Sequence, residues 1–225
     1  MLLYHTLNRG VDKRKIFLDK QDHLRFIHDL FVFNNELGTN NVHYRFYKTD
    51  NINDIASRYF KKPRKLLVNI HLFCLMPNHY HMILSPQTDN GVSRFMKKVN
   101  MGYAKYFNQK YKRSGTLFEG RYKSVAIKND QHFSWLPYYV HFNPLDLYES
   151  LWRKREIKNY KKSLKFLRSY RWSSHLDYLG EKNFPSVTQR KLFLDFFGGE
   201  SGYAKSVEEH LKNIDISILK ETTLE

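Results

Sequence analysis

His79-Tyr80-His81 sets two imidazoles one strand step apart. Side chains alternate along an extended segment, so His79 and His81 project from one face while Tyr80 and Met82 project from the other. Two such rings can converge on one divalent ion. Imidazole suits Mn, Co, Ni or Zn, and Mg can be held where a phosphate adds oxygen ligands. The spacing fits equally a pair of polar residues on the wet face of a half-buried strand. Two imidazoles leave a coordination sphere incomplete, and a further donor is offered by Asn143. Positions i and i+4 lie one above the other on a helix, so the Tyr139 hydroxyl and the Asn143 amide would face the same way. If that helix covers the histidine face, Asn143 becomes an oxygen ligand and Tyr139 sits beside the ion. The plainer readings are an amide ending a helix before Pro144, and one core tyrosine among the chain's 16.

A phenol, with a pKa of about 10, is a poor nucleophile at neutral pH. It becomes useful on a phosphodiester when an ion polarises a non-bridging oxygen and stabilises the charge gathering on phosphorus. Attack yields a phosphotyrosine ester and releases a sugar hydroxyl. The ester keeps the bond energy, so a second hydroxyl can later rejoin DNA without a nucleotide cofactor. No carboxylate cluster stands beside the histidines, which argues against a two-metal hydrolase.

The elements that must position these groups can be read from periodicity and breakers. Residues 2–7 form a short strand ended by Asn8, Arg9 and Gly10, and a helix over 20–34 follows with Leu24, Ile27, His28 and Phe31 at helical spacing. Residues 35–64 carry turn signals and a patch at 52–60 that could be helical, and are read as an insertion. The most apolar stretch, 65–76, is a central strand; Pro77-Asn78 breaks it before a strand over 79–84, as a hairpin or a bulge. A helix runs from Gly91 to about Lys110 with Val92, Phe95, Met96, Val99, Tyr103 and Tyr106 as its apolar stripe. Residues 117–127 are partly extended, and Asn129 or Asp130 caps a helix carrying Trp135, Leu136, Tyr139 and Phe142 that Pro144 ends. This order predicts an α+β fold with a small antiparallel sheet and helices packed on one face. Beyond a soft boundary near 150, residues 151–225 form a basic, mostly helical C-terminal extension, with a turn at Gly198-Gly199 and a helix near 203–211.

The chain of 225 residues holds 41% apolar and 16% aromatic residues, which supplies a core and excludes global disorder. Its 38 Lys and Arg against 22 Asp and Glu give +16, and a balance that basic makes a polyanion the leading partner. The single cysteine, Cys74, excludes an intramolecular disulfide and a thiolate metal cluster. No stretch of about 18 apolar residues exists, so a soluble protein of a reducing compartment is expected, with no membrane span.

With these residues in view, the sequence resembles the single-tyrosine HUH transposases of the IS200/IS605 type, and within them the REP-associated tyrosine transposases. Four pieces carry the resemblance: YHTLNRGVDKRKIF at 4–17, CLMPNHYHMIL around the histidine pair, SGTLFEGRYKS at 114–124, and YVHFNP at 139–144. The resemblance implies a ferredoxin-like catalytic domain over residues 1–150. It implies a single-strand DNA endonuclease and strand transferase, dependent on Mg2+ or Mn2+, acting on hairpin or palindrome-associated DNA through a 5′-phosphotyrosine. By that resemblance His79 and His81 bind the ion, Asn143 supplies a third ligand, and Tyr139 is the nucleophile. It also implies a prokaryotic, cytoplasmic protein acting at the nucleoid. Tyr138 is the rival, but on a helix it points about 100° away from the Asn143 face. Monomer and homodimer both stay open.

Cations interleaved with aromatics suggest where single-stranded DNA would lie, because cations neutralise phosphates while rings stack unpaired bases. Lys105, Lys110, Lys112, Arg113, Arg121 and Lys123 are interspersed with Tyr106, Phe107, Tyr111, Phe118 and Tyr122. Arg9 and Arg14 adjoin the first strand, and a basic run that includes Arg153, Lys154 and Arg155 could grip a hairpin stem. Two other functional classes fit parts of the pattern: a ferredoxin-like nucleic-acid-binding module without chemistry, and a metal-dependent hydrolytic nuclease with water as attacker. Only the transposase reading predicts a covalent protein–DNA adduct.

Overall fold

Alternating strands and amphipathic helices of this length must bury their apolar faces against one another, and here they do so around one sheet. A computed structural model of the chain describes residues 2–37, 64–154, 157 and 159–213. The expected helical patch at 52–60, most of the expected 35–64 insertion, and Arg155 lie outside the described residues.

The strands are β1 (Leu3–Arg9), β2 (Val68–Met76), β3 (His79–Pro86) and β4 (Lys123–Ile127). They form one four-stranded sheet in the order β2-β3-β1-β4, and every neighbouring pair is antiparallel. Helix α1 (Lys20–Val32) joins β1 to β2, and α2 (Gly91–Lys110) joins β3 to β4. This is the ferredoxin-like arrangement that the motif resemblance implies, with β1 and β3 at its centre. Of the two readings of Pro77-Asn78, the hairpin holds: Met76 pairs with His79 across a two-residue turn. A register shift lies instead between Ile70 and Leu72, where His71 is the extra residue of a bulge.

Local chemistry sets the helix ends. Asp19 caps α1 in a reciprocal box with Asp22. Asn129 caps α3 (Asp130–Phe142) by accepting the His132 N–H at 2.7 Å. Pro137 lies inside α3 and removes the N–H that would reach the Phe133 carbonyl.

Helices α1 and α2 cover one face, where Phe26, Leu30, Phe95, Val99 and Tyr103 pack with Phe73, Leu75, Tyr80, Met82 and Leu84. At about 1.5–3 kcal/mol for each fully buried large apolar side chain, this layer is the main source of stability for that half of the fold. The second face is covered as well. There α3 and the C-terminal helices meet Leu3, Leu72, Cys74, Met76 and Ile83. These helices are α4 (Tyr160–Ser169), α5 (His175–Tyr178), α6 (Lys191–Phe197) and α7 (Glu200–Lys212). The near-continuous apolar run of β2 requires this, since a strand apolar on both sides must be covered on both. Trp152, Leu167, Tyr178, Phe193 and Tyr203 therefore share a core with the sheet. No helix among the described residues is long and apolar enough to cross a membrane.

Candidate active site

The histidine face is the face covered by α3. In register, His81 lies opposite Cys74 on β2 and Leu7 on β1, while His79 lies opposite Met76 and Arg9. Alternation along β1 then brings Leu3, His5, Leu7 and Arg9 to the same side, and across β1 it adds Lys123 of β4, opposite Leu7. The two motif imidazoles stand perpendicular, with ring centroids 4.9 Å apart. Tyr139, in the third turn of α3, presents its ring edge-on to His81 at 5.4 Å and to His5 at 5.6 Å. The strand pair and the late helix thus bring Tyr139, His79 and His81 together.

Neighbours fix the orientation of each ring. Asn78 donates its side-chain N–H to the Lys13 carbonyl, so its amide oxygen is the atom facing His79 Nδ1 at 2.6 Å. An amide oxygen only accepts, so His79 carries its proton on Nδ1 and its lone pair on Nε2. His81 Nδ1 is 3.0 Å from His5 Nε2 in a fully buried contact. Burial, aided by Arg153 and Arg9, pushes the His81 imidazole down to about 3, so it is neutral at working pH. His5 escaped the sequence reading although it lies in the YHTLNRG segment. Only the β1–β3 register shows that it meets His81.

The hairpin carrying the histidines is clasped at its tip. Gly10 N donates to the Asn78 carbonyl at 2.8 Å, and the Ile16 and Phe17 amides donate to the Pro77 carbonyl. A Cβ on Gly10 would stand 2.3 Å from the Arg14 carbonyl, so the close approach needs glycine. Val11 and Glu119 amides bond Leu117 and Arg9 carbonyls, tying the 114–124 segment to the same corner.

Asn143 is fully buried at the end of α3. Its side-chain nitrogen donates to the Tyr139 carbonyl at 2.7 Å, and its oxygen accepts from Arg153 Nη2 at 3.0 Å. Arg153 is held in turn by Asp146, through Nε to Oδ1 at 3.0 Å and Nη2 to Oδ2 at 2.9 Å. Its guanidinium lies 5.5 Å from the Tyr139 ring centroid and 4.7 Å from that of Trp152. Tyr138 points elsewhere: its hydroxyl is 2.6 Å from Ser206 Oγ and its ring stacks on His210 at 3.8 Å, so it docks α7.

No group of three His, Cys, Asp or Glu side chains converges on a metal position among the described residues. A metal held by His79 and His81 would therefore need an amide oxygen and substrate or water oxygens. That donor set, two imidazoles plus the Asn143 amide oxygen, fits Mn2+ or a phosphate-bound Mg2+.

The sequence-derived DNA contacts divide by place. Arg9 and Lys123 lie on the histidine face by register, and Arg153 lies against Tyr139. Lys154 is exposed on the turn beside it. Arg14 is exposed near the hairpin tip. Lys105, Lys110, Lys112 and Arg113 belong to α2 and the loop after it, on the other side of the sheet. Lys110 is committed within the molecule, 2.7 Å from both Asp19 and Asp22. Burial disfavours its charge, but those bonds outweigh burial and hold the ammonium above its ordinary range. Arg113 bonds Asn108 Oδ1 at 2.8 Å. Arg121 is exposed and lines a groove of about 610 Å³ with Lys97, Met101, Phe118 and Tyr122.

Residues 41–143 match the family described as "Transposase IS200 like". The histidine pair, the SGTLFEGRYKS segment and Tyr139 through Asn143 all fall within that match. The resemblance carried by the motifs is borne out over those residues. A solved structure described as "Structure of the REP associates tyrosine transposase bound to a REP hairpin" is similar at 14% identity, over 84% of each chain, with a TM-score of 0.45. No curated protein matches the chain.

Proposed function

We propose that this protein is a metal-dependent single-strand DNA nickase and strand transferase of the IS200-like transposase type. Tyr139 is its nucleophile, and His79, His81 and Asn143 are its metal ligands. The observation that carries this is the meeting of Tyr139 on α3 with the imidazoles of β3, 5.4 Å from His81. Tyr139 and His81 lie 58 positions apart in the sequence, and the packing of α3 on the histidine face brings the two side chains together. A divalent cation, when bound, polarises a non-bridging phosphate oxygen.

The chain's own residues do the rest. His79 and His81 present imidazoles oriented by Asn78 and His5, and burial keeps His81 neutral. Asn143 is oriented by the Tyr139 carbonyl. The Tyr139 phenolic oxygen bonds the phosphorus and the P–O3′ bond breaks. The products are a 5′-phosphotyrosine and a 3′-hydroxyl, with the phenolic proton passing on balance to the 3′ oxygen. A later 3′-hydroxyl reverses the exchange, so no bond energy is lost to water. The substrate is single-stranded DNA with a hairpin or palindrome, drawn by the +16 charge and by Arg9, Arg14, Arg121 and Lys123.

The test is a covalent adduct. A single-stranded hairpin substrate with Mn2+ is expected to give an SDS-resistant protein–DNA species, lost in Tyr139→Phe and retained in Tyr138→Phe. Adduct persisting in Tyr139→Phe moves the nucleophile elsewhere. Cleavage without any adduct in the wild type gives the hydrolytic reading instead, and binding without cleavage leaves a DNA-binding module.

A further inference from the structure

We infer that Arg153 is an internal stand-in for the metal ion: it holds the Asn143 side-chain oxygen until a divalent cation takes that oxygen, and its departure uncovers Tyr139. The inference rests on the assignment of Asn143 as a metal ligand.

Three features of the corner lead to it. First, the Asn143 amide has one orientation, because its nitrogen donates to the Tyr139 carbonyl at 2.7 Å. Its oxygen therefore faces the guanidinium, 3.0 Å from Arg153 Nη2. A metal ligated by that oxygen would stand within a few ångströms of a permanent positive charge. Two cations at that range repel, so an ion that takes the oxygen is expected to displace the guanidinium from it. Second, Arg153 has somewhere to stay. Asp146 grips it through two contacts, at 3.0 and 2.9 Å, so the guanidinium can give up Asn143 and still keep its counter-charge. Third, the same guanidinium lies over the Tyr139 ring at 5.5 Å, and that ring is only 1% exposed. The Arg153 side chain is itself 24% exposed and rises from a three-residue turn anchored by buried Trp152. It is thus a group over the Tyr139 ring with a route toward solvent.

The arrangement gives a cation-free state in which the Asn143 oxygen is already held by a positive charge that Asp146 balances. Loading exchanges one cation for another. Arg153 is then a positioning residue that sets metal affinity.

The test is Mn2+ binding to the full-length protein without DNA, by calorimetric titration. The chains compared are wild type, Arg153→Gln, Arg153→Met and His81→Ala, with melting curves in EDTA as the folding control. Arg153→Gln keeps an amide donor for Asn143 but no charge. It is expected to bind Mn2+ roughly tenfold more tightly than wild type, and His81→Ala is expected to lose binding. A merely structural Arg153 would weaken binding or leave it unchanged when replaced. If Arg153→Gln fails to fold, Arg153→Met decides: it removes the charge and keeps an unbranched stem, and a similar tightening is expected. Unchanged or weaker binding in the folded Arg153 variant, with His81→Ala still abolishing binding, overturns the inference and leaves the metal site standing. No binding in wild type or Arg153 variant overturns both.

Discussion

At the scale of single residues, the site is ordered by second contacts more than by the histidines themselves. His79 takes its tautomer from Asn78, whose own orientation is set by the Lys13 carbonyl. His81 leans on His5. Partners of this kind commonly govern metal affinity by roughly 10–100-fold. His5→Ala is therefore expected to weaken Mn2+ binding within about that range while leaving the sheet folded. The loss is expected to be smaller for His5→Gln, which retains a polar atom near His81. Calorimetric titration of the two variants checks this; equal affinities in wild type and His5→Ala would remove His5 from the site. One histidine in a short strand is an unremarkable letter until the register puts it beside another.

At the scale of elements, α3 is held between the sheet and the C-terminal helices by neutral imidazoles. Tyr203 of α7 joins His141 of α3, at 2.6 Å, to His175 of α5, at 2.7 Å, and His141 also reaches Ser174 at 2.8 Å. Burial, with His175 nearby, pushes His141 well below its ordinary value. Burial, with Arg168 nearby, pushes His175 down to about 3, and burial alone takes His210 to about 4. Unfolded imidazoles titrate near 6.5, so between that pH and about 3 to 4 the unfolded chain binds protons that the folded chain refuses. Stability is thus expected to fall as pH drops through this window and to be indifferent to these groups above it. His175→Gln should flatten the urea-midpoint profile by up to about 1.4 kcal/mol per pH unit. An unchanged slope would mean His175 is not a neutral ring in the fold. The α6–α7 corner is equally exacting. A Cβ at Gly202 would stand 1.8 Å from the Phe197 carbonyl, so Gly202→Ala is expected to lower the melting temperature by several degrees through displacement of α7.

At the scale of the whole molecule, the sheet is sandwiched. Residues beyond 150 complete the layer over the histidine face, where Trp152, Tyr178, Phe193 and Tyr203 are buried. Deleting residues 151–225 is expected to leave an aggregating or molten chain, read as loss of a cooperative thermal transition, because Leu72, Cys74 and the apolar side of α3 would face water. The net +16 and exposed Arg14, Lys105, Lys112, Arg121 and Lys123 predict hairpin binding that weakens by roughly a hundredfold between about 50 and 200 mM salt. Salt-independent affinity in a filter-binding series would set aside phosphate-led recognition.

The sequence by itself determined what depends on neighbours along the chain. It carried the alternation that puts His79 and His81 on one face, the i, i+4 relation of Tyr139 and Asn143, and the Asn129 cap. It also carried an element order that points to a small antiparallel sheet with helices packed against it. It left hairpin and bulge equally open at Pro77-Asn78, because both satisfy the local backbone. The tertiary structure decided everything that needs two distant segments at once. It set the register that gives His81 its His5, the salt contacts that occupy Lys110, and the turn of Arg153 inward onto Asn143 and Tyr139. The reason is physical: covalent spacing fixes which way neighbouring side chains point, whereas partners across the fold are chosen by packing and by charge, which no local pattern records.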